Sequence, residues 1–188
     1  MRTRVTLICI AAAALAASAA LMLPHESPAS GDHQLVAGST YLLSRIDRWR
    51  QRTWYWQRVM GKPRYPTAYL DRRFRSLTYR QWVLELWRGR ATLAKRRALR
   101  PPHLEKWLCV FRHERHPNQG WRTQTGNGYY GGLQMDLAFQ RNYGRWLLSR
   151  KGRAHRWTPI EQLWVAERGR RVQGWYAWPN SARRCGLI

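Results

Sequence analysis

Carboxylates are scarce in this sequence, so those that could do acid–base chemistry can be found by elimination. The chain has 10 Asp and Glu residues against 34 Lys and Arg. A negative charge in the first turn of a helix, a helix cap and a surface ion pair are each sufficient structural reasons for a carboxylate. These reasons account for all the carboxylates after residue 100 except one. Glu105 is predicted to lie in the first turn of a helix, Asp136 and Glu161 to cap helices, and Glu167 to form a surface ion pair. None of these reasons applies to Glu114.

Glu114 therefore stands out as the candidate catalytic residue. The pattern places it in the last turn of a helix, where a negative charge opposes the helix dipole. A loop rich in Gly, Asn and Thr follows at residues 117–133. A carboxyl group at such a position is suited to act as a general acid. The alternative is that Glu114 is an exposed ion-pair partner of neighbouring arginines.

The sequence around Glu114 also resembles a zinc-binding motif, but the spacing is wrong. Two histidines on one helix share a zinc ion at positions i and i+4, whereas His113 and His116 are three apart and Pro117 follows directly. Neither a nucleophilic G-x-S-x-G motif nor a phosphate-binding loop occurs in the sequence. We therefore predict no metal site and no cofactor.

Periodic apolar residues predict the helices that must position Glu114. The pattern indicates five helices, a small β-hairpin at residues 125–130 and an extended aromatic tail at residues 175–179. The predicted helices are residues 40–61, 78–100 and 102–116, one capped by Asp136, and one from Thr158 to about Gln173. We expect a mainly α fold with a minimal β-hairpin, preceded by a basic helical hairpin.

The first thirty residues have the order of an export signal. Arg2 and Arg4 precede an uncharged apolar run at residues 5–23, and polar, turn-rich residues follow. The run is also long enough to span a bilayer, so residues 1–30 are predicted to be either a cleaved signal peptide or an uncleaved membrane anchor. In both cases the remainder lies outside the cytoplasm. The net charge of +24 indicates a polyanionic partner, and the predicted export argues against nucleic acid as that partner.

Export also bears on the cysteines. Cys9 lies within the predicted signal, which leaves Cys109 and Cys185 in the mature chain. Two thiols in an oxidising compartment usually pair, so we predict a disulfide between them. The alternative is a pair of reduced core cysteines.

The C-terminal part resembles a known family. The residues that carry the resemblance are Trp107, Glu114, the run TGNGYYGGLQ at residues 125–134, and QGWYAWP at residues 173–179. In this order they resemble the catalytic domain of the resuscitation-promoting factors, a transglycosylase-like branch of the lysozyme superfamily. The resemblance covers residues 103–188. The chain departs from the family pattern at His113, where the family has its cysteine, and at Phe139, where it has a threonine.

The resemblance implies a lysozyme-like domain that cleaves the β-1,4 bond between N-acetylmuramic acid and N-acetylglucosamine in peptidoglycan. It implies that Glu114 is the catalytic acid and that Gln173 contacts the glycan. The same motifs contain three further candidate substrate-binding residues, which are Gln134, Tyr130 and Trp175.

The sequence thus predicts an exported lytic transglycosylase or muramidase in which a single Glu is acid and then base. The predicted catalytic domain is residues 101–188, behind a basic Trp-rich helical segment at residues 31–100. Peptidoglycan strands are the predicted substrate, and anionic wall polymers or a membrane surface are candidate partners of the basic segment. The alternative function is a cationic wall-binding protein that does not cleave.

Overall fold

The computed structural model describes residues 29–67 and 76–188, and this part of the chain is mainly helical, as predicted. The export prediction for residues 1–30 lies almost wholly outside the described residues. Within the described ranges, no helix is both long and apolar enough to cross a bilayer. The α-helices are α1 (Ala29–Val59), α2 (Leu77–Ala98), α3 (Leu104–Glu114), α4 (Leu137–Lys151), α5 (Pro159–Gln173) and α6 (Pro179–Arg184).

The two basic helices, α1 and α2, pack along each other through two apolar clusters. Ile46 lies in one cluster with Val83, and Val59 lies in the other with Ala94. Residue numbers therefore rise in the same direction along both helices, which makes the pair parallel. The expectation of an antiparallel hairpin is corrected here.

The connection between α1 and α2 explains how a parallel pair forms. It folds back along α1: the Gln57 amide donates a hydrogen bond to the Pro63 carbonyl, and the Trp54 indole donates one to the Tyr65 carbonyl. The Arg64 guanidinium also lies over the Trp54 ring. A chain returning in this way can begin α2 beside the middle of α1.

The other helices enclose a second core around Trp107, Leu133 and Leu147, all fully buried. Local sequence signals place two of these helices as predicted. The Asp136 carboxylate accepts a hydrogen bond from the backbone N–H of Phe139 and caps α4, and Thr158 with Glu161 forms a complete capping box on α5. The predicted β-hairpin is reduced to isolated bridges, in which Tyr130 pairs with Gln124 and with Met135.

The aromatic tail is helical rather than extended, which corrects the prediction for residues 175–179. A 3₁₀ turn spans Gly174–Ala177, and α6 follows with Pro179 as its first residue, a position that suits proline. The Trp178 indole donates a hydrogen bond to the Leu133 carbonyl. This buried contact turns the chain back onto α3.

The end of the helix pair is attached to this second core by specific contacts with α5. The Trp164 indole donates to the Ala98 carbonyl at 2.8 Å, and the Arg168 guanidinium donates to the Val59 carbonyl at 2.8 Å. The Tyr55 hydroxyl donates a hydrogen bond to the Glu161 carboxylate at 2.7 Å. Because these groups are largely buried, separating the two parts would leave them unpaired.

Glu167 is buried, and the prediction of a surface ion pair is corrected. Its carboxylate is 1% exposed and is paired with the Arg170 guanidinium, and it also accepts a hydrogen bond from the Trp107 indole. Burial alone would raise the pKa of Glu167, but these hydrogen bonds and the charge of Arg170 hold it below its ordinary value. The residue thus joins α5 to α3 beneath the candidate site.

Candidate active site

Glu114 is the last residue of α3, and its side chain is half-buried. Its Oε1 accepts a hydrogen bond from the hydroxyl of Ser181 on α6. Within the described residues, Oε2 has no hydrogen-bond partner. A carboxyl group with one oxygen held and the other free can deliver a proton in a defined direction, which is the requirement for a general acid.

A disulfide holds Ser181 near Glu114. Cys109, on α3, is bonded to Cys185, the residue directly after α6, with Cα atoms 6.0 Å apart. The predicted pairing is therefore confirmed. The bond ties the two helices that carry the hydroxyl and the carboxylate.

The disulfide also bears on the expectation that no metal is bound. The ligand atoms of Cys109, His113 and Cys185 lie within 4.8 Å of one another. Both sulfur atoms are bonded to each other, however, so neither is available as a thiolate. The predicted absence of a cofactor stays a prediction.

A groove runs beside this pair of residues. Its walls come from the loop before α4, from α4 itself and from the 3₁₀ turn after α5, and the polar lining residues include several amides. Those that can bond a polar ligand are Tyr129, Gln134, Asp136, Asn142 and Gln173. Glu114 does not line the groove and is linked to it through Ser181, whose hydroxyl lies 3.5 Å from the carbonyl oxygen of the groove residue Trp178. Amides beside an indole suit recognition of an N-acetylated sugar.

Two glycines of the TGNGYYGGLQ run, Gly131 and Gly132, are required because a side chain there would collide with neighbouring groups. A Cβ at Gly131 would lie 2.4 Å from Oε1 of Gln162, and one at Gly132 would lie 2.5 Å from the Phe111 ring. The Gln162 amide is fully buried and bonds the backbone on both sides, accepting from the Gly132 N–H and donating to the Trp121 carbonyl. The loop can therefore pass close to α5 at Gly131 and close to α3 at Gly132 only because these positions lack side chains.

The structure brings some predicted binding residues together and not others. Gln134 and Gln173 both line the groove. Tyr130 is buried and its hydroxyl accepts a hydrogen bond from Arg153, while Trp175 packs against Trp107 with ring centroids 4.6 Å apart. Tyr130 and Trp175 therefore lie outside the groove, and the binding roles of all four residues stay predictions.

Sequence reasoning missed three residues of this region: Ser181, Tyr129 and Trp178. Ser181 has no neighbouring motif that marks it. Tyr129 precedes Tyr130 in the same run. Successive side chains of an extended segment point to opposite sides, so a buried Tyr130 would have indicated an exposed Tyr129. Trp178 was part of the aromatic tail whose conformation was predicted wrongly.

Comparison with known proteins shows what the C-terminal part of the chain is similar to. Residues 106–181 match the family model described as a transglycosylase-like domain. The sequence is similar to the resuscitation-promoting factor Rpf of Micrococcus luteus, with 37% identity over 70 residues that make up 37% of this chain and 29% of that protein. It is also similar to Rpf1 of Corynebacterium glutamicum, with 40% identity over 67 residues, 36% of this chain and 34% of that protein.

A third relative is RpfE of Mycobacterium tuberculosis, with 42% identity over 64 residues that make up 34% of each chain. The match thus spans about a third of the length of these relatives. The resemblance noted in the sequence is confirmed: the chain contains a transglycosylase-like, mainly α domain of the kind found in resuscitation-promoting factors.

Proposed function

We propose that this protein is an extracytoplasmic enzyme that cleaves the β-1,4 bond between N-acetylmuramic acid and N-acetylglucosamine in peptidoglycan. The observation that carries the proposal is the Glu114 carboxyl group, held at Oε1 by Ser181 and unpaired at Oε2, beside an amide-lined groove. The match to the transglycosylase-like domain supports peptidoglycan as the substrate.

In this mechanism Oε2 of Glu114 donates its proton to the glycosidic oxygen as the bond to the sugar carbon breaks. The positive charge that develops on the sugar is stabilised by the substrate's own acetamido group. The carboxylate left behind then removes a proton from the attacking hydroxyl. If that hydroxyl is the sugar's own 6-hydroxyl, the product is an anhydro sugar, and if it belongs to water, the product is a reducing sugar.

A single carboxylate fits better than the usual pair. A paired mechanism requires a second carboxyl group about 5 to 9.5 Å from the first. Asp136 is the candidate because it lines the groove, but its carboxylate is engaged with the backbone N–H of Phe139 at 2.6 Å. A cap contributes about 1 kcal/mol of helix stability, which is a sufficient reason for this residue.

The decisive experiment compares the full chain with its Glu114→Gln variant on purified peptidoglycan. Mass spectrometry of the released muropeptides identifies both the bond cut and the form of the product. The amide keeps the shape of the carboxyl group but has no proton to deliver, so turnover should fall by about 10²- to 10⁴-fold. Retention of more than a tenth of the activity would refute the assignment of the acid.

Asp136→Asn is the matched control, since it lies in the same groove and keeps its size. A loss as large as that of Glu114→Gln would support a two-carboxylate mechanism instead. If the unmodified chain binds peptidoglycan and releases nothing, the alternative function of a non-catalytic cationic wall-binding protein is favoured.

The extracytoplasmic location is part of the proposal. It is supported by the signal-like order of residues 1–30 and by the disulfide, which is stable in an oxidising compartment. We further propose that residues 101–188 form the catalytic domain and residues 31–100 a separate basic segment.

A further inference from the structure

The helix pair has one attached end and one free end. The attached end carries Val59 and Ala98, which are bonded to α5. Because the pair is parallel and an α-helix rises about 1.5 Å per residue, Tyr41 lies about 27 Å further along α1 than Val59. The start of α2 lies at the level of Tyr41, since Val83 packs with Ile46, and α1 continues beyond this level to Ala29.

Beside the start of α2 lies a group of aromatic and apolar side chains that we call the distal patch: exposed Tyr41, Leu77 and Trp82, with partly buried Tyr79. Tyr41 is 56% exposed, Trp82 is 58% exposed and Leu77 is 37% exposed. The rings of Tyr79 and Trp82 are 5.7 Å apart. Trp and Tyr are the side chains that favour the boundary between lipid and water, because each has an apolar body and a polar tip.

Cations surround the distal patch. Residues 38–53 and 76–90 contain seven Arg and two acidic residues, a net charge of +5, and five of these arginines are at least partly exposed, since Arg50 and Arg80 are buried. Arg45 and Arg48 follow Tyr41 at spacings of four and seven, so they lie on the same face of α1. Arginines next to interfacial aromatics are complementary to an anionic lipid surface, where each contributes about 1 kcal/mol.

The chain itself leads from the distal patch to its most apolar stretch. Helix α1 begins at Ala29, on the free side of the patch, and the sequence before it contains the uncharged run of residues 5–23. A run of this length can enter the hydrocarbon core of a bilayer. Sequence continuity and the direction of α1 thus favour a lipid surface over a wall polymer as the occupant.

We propose that the distal patch docks on the surface of an anionic lipid bilayer, so that the helix pair acts as a stalk. The proposed lipid contact lies about 27 Å along α1 from Val59, the residue through which this helix is bonded to α5. This proposal does not depend on the cleavage chemistry, and it concerns the full chain, in which the apolar run of residues 5–23 is present.

The test uses the full chain labelled with fluorotryptophan in small lipid bicelles. One set is made of phosphatidylcholine, and the other also contains phosphatidylglycerol. The apolar run of residues 5–23 is present with both lipids, so a difference between them reports on charge-dependent docking. The Trp82 resonance, assigned with Trp82→Phe, should be shielded from a water-soluble gadolinium chelate in the anionic bicelles only. Half-buried Trp121 on the domain is the internal reference and should stay equally accessible in both.

Charge reversal distinguishes docking from general attraction. Arg45→Glu with Arg48→Glu should abolish the shielding of Trp82, whereas Arg141→Glu with Arg145→Glu, both exposed on α4, should leave it intact. Equal accessibility of Trp82 in the two bicelles would overturn the proposal, as would equal effects of the two double variants. Cleavage of purified peptidoglycan without lipid should survive the first double variant, while Glu114→Gln should dock normally, so that each proposal can fail alone.

Discussion

The Ser181 hydroxyl donates a hydrogen bond to Oε1 of Glu114 from a helix that lies 67 residues further along the chain. The contact joins the C-terminal end of α3 to α6. It restrains the orientation of the carboxyl group through Oε1, which leaves Oε2 for the proton transfer that we propose. Ser181 is a positioning residue, since it contacts Glu114 and does not itself line the groove.

Ser181→Ala should therefore lower kcat by about tenfold, in keeping with the loss of one oriented hydrogen bond of about 1.4 kcal/mol. KM should remain unchanged, because the groove residues keep their places. Steady-state kinetics on soluble glycan fragments measures the two constants separately. Ser181→Thr retains the hydroxyl and should recover most of kcat; failure to recover it would indicate a purely structural role.

The two adjacent tyrosines provide a test of which side chain binds substrate. Tyr129→Ala should raise KM without lowering the melting temperature, because Tyr129 is exposed in the groove wall. Tyr130→Phe should lower stability by about 1 kcal/mol, since it loses the hydrogen bond from Arg153, and leave KM unchanged. The opposite pattern would restore Tyr130 as the binding residue.

Burial of Glu167 predicts a dependence of stability on pH. Its folded pKa lies below the ordinary value of 4.5, so the ionised form stabilises the fold above that pH, and this contribution is lost as the pH falls through the folded pKa. Glu167→Gln should lose about 1 to 3 kcal/mol at neutral pH. The difference from the unmodified protein should shrink below pH 4.5. Thermal unfolding across this range tests the effect, with exposed Glu105→Gln as the control that should change little.

Removal of the disulfide should affect both stability and activity. The bond closes a loop with a sequence separation of 76, for which the chain-entropy model gives about 4 kcal/mol. The double variant Cys109→Ser with Cys185→Ser should lose stability of that order in denaturant unfolding. It should also lose kcat at temperatures where it is still folded, because Ser181 is no longer tied to α3. Full kcat in the folded variant would show that α6 is held by its packing alone.

Separation of the two helical parts should not yield a soluble catalytic fragment. Residues 101–188 alone would expose Trp164 and leave the Glu161 carboxylate without its Tyr55 partner. We expect this fragment to aggregate in size-exclusion chromatography with light scattering. The fragment carrying Trp164→Ser is the control and should aggregate less. A soluble, fully active fragment would show that the helix pair does not stabilise the domain.

Much of the candidate site was predictable because it depends on neighbours in sequence. The cap at Asp136 and the capping box at Thr158 need only residues three or four apart, and both formed as predicted. Elimination among so few carboxylates singled out Glu114. The pairing of Cys109 with Cys185 followed from there being two cysteines after the predicted signal.

Features that depend on where distant elements meet were decided by the tertiary structure. The charged residues around Glu167 are typical of an exposed position, yet Glu167 is buried. Hydrogen bonds from the Trp107 indole and the Arg170 guanidinium offset the cost of burying its charge. Apolar periodicity indicates which faces of α1 and α2 pack together. It does not indicate whether the two helices run parallel or antiparallel.

The same distinction separates Glu114 from Ser181. Residue type, scarcity and local order singled out Glu114 as the proposed acid, because these are properties of the sequence alone. The hydroxyl that orients it comes from α6, which the Trp178 hydrogen bond and the disulfide bring against α3. Closing a loop of this length costs entropy that only the folded core repays, so no local pattern could have marked Ser181.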